Sequence, residues 1–247
     1  MKTIVLALSL TLAQASAARA AEIKVLCSTA MKTVMQELAP QFERATGNKL
    51  VVEYGGSAPL QRQVEAGEAF DAIFLTIKQL DALVQEGKIA SGTRTAIARS
   101  GMAIAIHAGA TRPDIKTTDA LKRTVLAAKS IAYAPEGASG VYFVALAKRL
   151  GIADKLKLKT ENGGDAVGEA VASGTAELGI LPVSEILPVK GVELLGEFPR
   201  DVQDYAVSVG GVSVAAKQAG AASALIKFLT TPAAVLVIGK KGMEPAR

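Results

Sequence analysis

The chain has 247 residues, half of them hydrophobic, which is enough for one large domain or two small lobes. Its formal charge of +5 is mild, and the basic residues are scattered rather than interleaved with aromatic residues in one patch, which argues against a nucleic-acid-binding protein. One cysteine allows no intrachain disulfide, and one cysteine with one histidine cannot form a Cys/His zinc site. We therefore expect neither a metal nor another cofactor.

The single cysteine and the single histidine each have a structural interpretation. Cys27 ends an apolar strand pattern, which indicates a buried core thiol, with a nucleophile as the alternative. His107 lies in a second apolar strand pattern. A Ser–His–Asp triad would have to use His107, and no nucleophile-elbow motif accompanies it.

The N-terminus has the pattern of a secretory signal peptide. Lys2 is followed by an apolar run over residues 4–13 and by the small-x-small sequence Ala18-Arg19-Ala20. The apolar run is too short to span a membrane comfortably. We predict a signal peptide over residues 1–20, a mature charge of +3, because two basic residues and no acidic residue are removed, and a periplasmic location for a soluble, exported protein.

The first predicted unit after this segment is a strand followed by hydroxyl residues and a helix. Residues 23–27 form the apolar strand, and the apolar residues over 31–46 have the spacing of one buried helix face. Ser28 or Thr29, which lie between the two, is predicted to cap the helix.

The second unit has a glycine turn between its strand and its helix. Residues 51–54 are rich in β-formers, Gly55 and Gly56 allow a sharp turn, and Ser57 stands where a helix N-cap belongs. A helix that begins with Gly-Ser presents free N–H groups, a hydroxyl and the positive end of its dipole, which together favour an anion. The alternative is an ordinary capped turn without a ligand.

The third unit repeats the arrangement, because a strand over residues 72–75 ends in Thr76 before another helix. In open α/β sheets the ligand crevice lies at the carboxyl ends of the strands. We therefore expect the hydroxyl residues of the three units to gather at one edge of the sheet.

The remaining elements follow the same alternation of strands and helices. A strand over 130–134 leads through a second glycine-rich turn, which contains Gly137 and Ser139, into a helix. A strand over 177–181 is followed by Ser184. Further helices are predicted over 119–129, 162–174 and 219–229, and from residue 232.

Two long strand-like runs, 95–108 and 204–216, bracket the compact middle of the chain. We interpret them as strands that cross between two lobes. The prediction is an α/β fold of two lobes, each a sheet flanked by helices, joined by two crossing strands. One lobe comprises 21–100 plus 208–247, and the other 101–207.

These features together resemble a known family, the molybdate-binding-protein family of periplasmic solute-binding proteins of ABC importers. The resemblance extends over essentially the whole mature chain and rests on the following segments: Ser28-Thr29-Ala30, Gly56-Ser57-Ala58-Pro59-Leu60, residues 169–179 with Ser184, residues 207–217 and residues 224–232. It implies a type II periplasmic-binding-protein fold whose lobes close on a ligand, and a membrane permease as partner.

The sequence departs from the family at its ligand loops. The tyrosine that the family has after the strand matching 177–181 is missing, and Pro59 offers no N–H in the second loop. Three cations, Lys32, Arg62 and Lys78, lie close in sequence to the crevice loops. A fixed cation suits a carboxylate, whereas the alternative is that all three point to solvent.

The resemblance and the residues together predict a monomeric binding protein that captures a small anion, either a molybdate-like oxyanion or an organic carboxylate. The ligand-binding residues predicted are Ser28, Thr29, Lys32, Ser57, Arg62, Thr76, Gly137, Ser139 and Ser184. No catalytic residue is assigned in this interpretation. A binder that feeds another kind of uptake system or a sensor is a variant of it.

An enzyme on the same scaffold is the alternative. A branch that resembles this family is periplasmic aconitate isomerase, which moves a double bond in a tricarboxylate by proton transfer. Such a reaction needs cations to hold the carboxylates and one base to move an allylic proton. The three cations could hold the substrate, and Glu136, Glu185 or Tyr133 could move the proton.

Overall fold

The computed structural model describes residues 20–246. Residues 1–19, which contain nearly all of the predicted signal peptide, lie outside the described residues. The strands are β1 (Glu22–Ser28), β2 (Lys49–Gly55), β3 (Ala72–Thr76), β4 (Thr95–His107), β5 (Ile131–Tyr133), β6 (Leu158–Thr160), β7 (Leu178–Pro182), β8 (Val192–Glu197), β9 (Tyr205–Val212) and β10 (Glu244–Pro245). The α-helices are α1 (Lys32–Thr46), α2 (Ser57–Glu65), α3 (Ile77–Gln85), α4 (Thr118–Ala127), α5 (Ala138–Arg149), α6 (Gly164–Ala172), α7 (Val183–Ile186), α8 (Ala219–Leu229) and α9 (Pro232–Lys240).

The predicted strand–helix units are confirmed, with differences of a few residues at their ends. Three strands were not predicted. β6 and β10 have three and two residues, too short for a periodic pattern, and β8 is a half-exposed strand without a clean alternation. Short 3₁₀ helices stand at Thr29–Met31, Ala153–Lys155 and Arg200–Val202.

The strands of the described chain form one continuous path with the order β2-β1-β3-β9-β4-β7-β5-β6. β1 is parallel to β2 and β3, and β5 is parallel to β6 and β7. β4 changes partners along its length, because its residues up to Gly101 pair with β9 and its residues from Met102 pair with β7. β8 and β10 also pair with β4. The long strand predicted over 95–108 therefore connects two parts of the sheet.

The hydrophobic side chains form separate cores on the two sides of this change. Two clusters are built from residues 23–98 and 209–243, and two others from residues 102–206. We call the part around the former the first lobe and the part around the latter the second lobe. The predicted mixed α/β architecture of two helix-flanked lobes is confirmed, whereas the residue boundaries given above stay a prediction.

Cys27 lies in the core of the first lobe and is fully buried. Burial raises the pKa of its thiol far above the ordinary value, so the thiol stays protonated and is not a nucleophile. His107 is exposed at the end of β4.

No single helix among residues 20–246 has the length and hydropathy of a membrane span. α8 and α9 reach the required length together, but they are bent by 65° and both contribute buried residues to the core of the first lobe.

Candidate functional site

The carboxyl ends of the strands of both lobes meet at one boundary, which we call the cleft. The first lobe contributes the ends of β1, β2 and β3, which are adjacent and parallel. The second lobe contributes the ends of β5 and β7. The predicted gathering of strand ends is therefore observed, and the residues that follow these strands decide what the cleft can bind.

The hydroxyls of the second and third units are already engaged with protein groups. Ser57 Oγ accepts a hydrogen bond from the backbone N–H of Thr76 over 3.1 Å, and Thr76 Oγ1 is hydrogen-bonded to Gln79 Oε1. The prediction of Ser57 as the N-cap is wrong, because Gly56 occupies that position and Ser57 is the first residue of α2. Its hydroxyl instead ties the start of α2 to the end of β3.

Neither Ser28 nor Thr29 caps α1, contrary to the prediction, since Met31 precedes the helix and makes no side-chain cap. Ser28 is 2% exposed, and its hydroxyl has no hydrogen-bond partner within the described chain. Thr29 donates from Oγ1 to Glu185 Oε1 over 3.3 Å. The loop after β1 thus contributes one buried, unpartnered hydroxyl and one contact to the second lobe.

Two of the three predicted cations also reach the second lobe. Lys32 Nζ lies 2.8 Å from Asp165 Oδ2, at the start of α6. Arg62 donates to both carboxylate oxygens of Glu136, over 3.1 and 2.9 Å. Lys78 is exposed on α3. Lys32 and Arg62 therefore face the cleft, and each holds a carboxylate across it.

Glu136 is a fixed carboxylate rather than a proton carrier. The hydrogen bonds and the charge of Arg62 lower the pKa of Glu136 below its ordinary value. The hydrogen bonds and the charge of Glu136 in turn raise the pKa of Arg62. Both side chains are 56% exposed, so solvent screens the pair and its weight in stability is small. The position of the Arg62–Glu136 pair at the rim of the cleft is therefore more important than its contribution to stability.

Glu185 is the contrasting carboxyl group. It follows β7 on α7, is partly buried, and has its pKa raised to about 7, chiefly by burial. The hydrogen bond from Thr29 and the charge of Lys32 lower this pKa, whereas the charge of Asp165 raises it. Its Oε2 packs so closely on Gly164 that a Cβ added there would lie 1.7 Å from it. Glycine at the first position of α6 is thus what makes room for this carboxyl group.

The glycine-rich turn after β5 is built around the start of α5. Gly137 holds the N-cap position, and Ser139 is buried and donates to the carbonyl of Ile180 over 3.2 Å. A Cβ on Gly140 would lie 1.9 Å from the carbonyl oxygen of Ala134, so the helix requires glycine there. The Ser139 hydroxyl therefore anchors α5 to β7, and the backbone N–H of Gly137 donates to the carbonyl of Ala134 over 3.0 Å within the turn.

Ser184 lies where β7 passes into α7. Its backbone N–H donates to Ser100 Oγ over 3.0 Å, and Ser100 Oγ donates to the carbonyl of Gly242 over 3.1 Å. The Ser184 hydroxyl is 2% exposed and has no partner among residues 20–246. Ser184 is thus linked to the C-terminal turn and adds a second unpartnered hydroxyl next to a residue of the cleft.

Asp165 is the cleft residue that sequence reasoning missed. Its signal was present in the glycine pair before it, since Gly163-Gly164-Asp165 resembles the other glycine-rich helix starts. Tyr133, a candidate proton carrier, is half-buried, and its ring packs near Gly140. Among the described residues no group of three or more His, Cys, Asp or Glu side chains is arranged to hold a metal.

Comparisons with known proteins identify a family and several relatives that match most of the chain. Residues 23–244 match the model of a family described as bacterial extracellular solute-binding protein. An aconitate isomerase from Pseudomonas sp. is 31% identical over 230 residues, which are 90% of this chain and 87% of that protein. A molybdate-binding protein from Azotobacter vinelandii is 28% identical over 242 residues, 92% of each chain.

The fold also has a solved counterpart. The periplasmic molybdate-binding protein structure from Azotobacter vinelandii superposes with a TM-score of 0.78 at 21% identity, covering 91% of this chain and all of that one. At this identity the likeness shows the fold, which is the two-lobe type II fold predicted from the sequence.

Proposed function

The chain belongs to the bacterial extracellular solute-binding proteins, and from that membership we propose that it captures a small anion between its two lobes. The anion that fits best is an organic carboxylate, delivered to the permease of an ABC importer. The proposal includes a periplasmic location and a monomer that closes on its ligand. The proposed lobes are residues 21–100 plus 208–247 and residues 101–207.

The observation that carries the proposal is the pair of cations that hold carboxylates across the cleft. Lys32 and Arg62 of the first lobe bind Asp165 and Glu136 of the second. The Arg62 contact is two-pronged, the geometry with which guanidinium groups recognise carboxylates. A cation that holds a protein carboxylate at this place is positioned to hold a carboxylate of a ligand.

The engaged hydroxyls support the same preference. A site for molybdate built only from hydroxyls and N–H groups would need free donors at the strand ends. Thr76 and Ser139 already donate their hydroxyl protons to protein oxygens, whereas Ser57 only accepts a hydrogen bond and keeps its own proton for a ligand. The hydroxyls of Ser28 and Ser184 are unpartnered and buried in the described structure, and they supplement the cations rather than replace them.

A thermal-shift screen of the chain from Ala21 tests the proposal, with molybdate, tungstate, sulfate, citrate, cis-aconitate and trans-aconitate compared under one condition. A ligand at a hundred times its dissociation constant stabilises the folded state by about 2.7 kcal/mol. We expect a shift with one or more of the carboxylates. A shift with molybdate or tungstate alone would contradict the carboxylate preference, and no shift with any anion would contradict the proposal as a whole.

An isomerase of an unsaturated tricarboxylate is the second candidate, and Glu185 is the observation that favours it. Its carboxyl group lies at the cleft with a pKa near neutrality, suited to accepting and returning a proton. The 31% identical relative is named an aconitate isomerase. Glu136 does not suit this role, because Arg62 lowers its pKa and so keeps it ionised, and because its side chain is exposed.

In that reaction the Glu185 carboxylate would remove a proton from the carbon next to the double bond. The electron pair of the broken C–H bond becomes the new double bond. The electron pair of the original double bond then forms a C–H bond at its far carbon with the same proton, which Glu185 returns. No oxidant or reductant is needed. Proton NMR of trans-aconitate incubated with the protein tests this candidate: appearance of cis-aconitate supports it, and an unchanged spectrum contradicts it.

A further inference from the structure

The contact between Thr29 and Glu185 is bordered on both sides by buried hydroxyls. Ser28 immediately precedes Thr29, Ser184 immediately precedes Glu185, and each of these serines is 2% exposed. Neither hydroxyl has a partner in the described part of the chain. Buried hydroxyls are nearly always hydrogen-bonded in folded proteins, so two such groups beside one interlobe contact indicate a place where a ligand supplies the missing partner.

The Glu185 carboxyl group is held in place at this contact. Its Oε1 accepts the hydrogen bond from Thr29 of the first lobe, and its Oε2 lies against Gly164 of the second lobe. It is therefore fixed between the loop after β1 and the start of α6. A ligand that enters between these two elements meets the carboxyl group directly.

The charges that face Glu185 come from two elements. Lys32 projects from α1 and Asp165 from α6, and these two groups are paired with each other over 2.8 Å. The pair leaves little net positive charge to compensate a second negative charge. An anion bound here therefore disfavours the ionised form of Glu185, whereas a protonated Glu185 can donate a hydrogen bond to it.

We propose that Glu185 takes up one proton when a carboxylate anion binds in the cleft and then donates that proton in a hydrogen bond to the anion. The inference rests on the proposed function, since it requires an anion in the cleft. The proton comes from solvent and adds to the carboxylate, and no other bond is made or broken. The pKa of about 7 supports this step, because protonation near neutral pH then costs little.

Isothermal titration calorimetry at pH 8, with trans-aconitate and citrate as probes in two buffers of different ionisation enthalpy, counts the protons taken up. We expect about one proton for each anion bound by the wild-type chain. Its affinity should fall by up to about tenfold from pH 7.5 to 8.5. Glu185→Gln, which keeps the shape and a donor, should bind with no proton uptake and with an affinity that does not change over this range.

Glu136→Gln is the matched variant, because it removes the other cleft glutamate. Its affinity for the anion is expected to change, but the number of protons that it takes up for each anion bound should stay near that of the wild type. Wild-type heats that do not depend on the buffer, or proton uptake that persists in Glu185→Gln, would overturn the inference alone. Binding heats absent for both probes would contradict the carboxylate preference of the proposed function and overturn this inference with it. Since the wild-type proton count decides by itself, the test stands even if Glu185→Gln does not fold.

Discussion

Arg62 and Glu136 close the rim of the cleft through two parallel hydrogen bonds, Nη1 to Oε1 over 3.1 Å and Nη2 to Oε2 over 2.9 Å. They lie 74 residues apart in the sequence and in different lobes. Because both are exposed, the pair contributes little to folding. The pair is expected to affect ligand binding instead, because the Arg62 guanidinium lies where an anion would enter or bind.

Arg62→Gln should weaken binding of trans-aconitate or citrate by about tenfold or more, because a two-pronged charged donor is lost. Calorimetric dissociation constants at fixed ionic strength measure the effect. Arg94→Gln is the matched control, since Arg94 makes a similar ion pair with Asp81 within the first lobe. An equal loss in both variants would mean that general surface charge, not the cleft, determines affinity.

The sequence alone could not predict which residues pair across the cleft. The strand–helix units depend on local periodicity and glycine turns, and they were predicted correctly. The contact of Lys32 with Asp165 joins residues 133 positions apart and leaves no local pattern. Similarly, local propensity placed Ser57 at an N-cap, whereas its hydroxyl is taken by the backbone of Thr76 from the neighbouring strand.

Ser57→Ala should therefore have two effects rather than one. It removes the acceptor of the Thr76 N–H, which should lower the free energy of unfolding by about 1 kcal/mol. It should also weaken anion binding, because the starts of α2 and α3 lose their connection at the cleft. Urea unfolding and calorimetry measure the two effects separately.

Thr117→Ala is the control for Ser57→Ala. Thr117 caps α4 in the second lobe by accepting from the N–H of Ala120. Its replacement should cost about 1 kcal/mol of stability and leave anion affinity unchanged. Unchanged affinity in Ser57→Ala as well would remove Ser57 from the ligand site.

Glu185→Gln should make the protein more stable at high pH and leave stability unchanged at low pH. The pKa of Glu185 is raised from 4.5 to about 7 in the folded state, so its contribution is fully present below pH 4.5 and is lost as the pH rises through about 7. Glutamine mimics the protonated form and avoids this loss. At pH 8 we expect a gain of about 3 kcal/mol in the free energy of unfolding.

The measurement is urea unfolding of both chains at intervals from pH 4.5 to 8. The difference between them should grow with pH and level off above the pKa of the folded state. A constant difference would show that the substitution acts through packing, and a difference that shrinks with pH would show that the pKa is lowered instead.

Gly164→Ala tests the close packing of α6 on the Glu185 carboxyl group. An added Cβ would lie 1.7 Å from Glu185 Oε2, so the side chain must leave its place or α6 must shift. Overpacking of this kind costs about 1–3 kcal/mol. The double variant Gly164→Ala, Glu185→Ala removes the colliding carboxyl group. At pH 5, where Glu185 is protonated, the loss of stability of the double variant should therefore be smaller than the sum of the two single losses by about 1 kcal/mol or more.

Gly220→Ala on α8 is the reference for this cycle, because an added Cβ there meets no described atom within 4 Å apart from its chain neighbours and the backbone of its own helix. That substitution should be neutral or slightly stabilising, as alanine is the better helix former. If Gly164→Ala behaved like Gly220→Ala, or if the two losses in the cycle were simply additive, Glu185 would not depend on Gly164. In that case the carboxyl group would have freedom to move away from the ligand, and the fixed geometry on which its proton uptake depends would be lost.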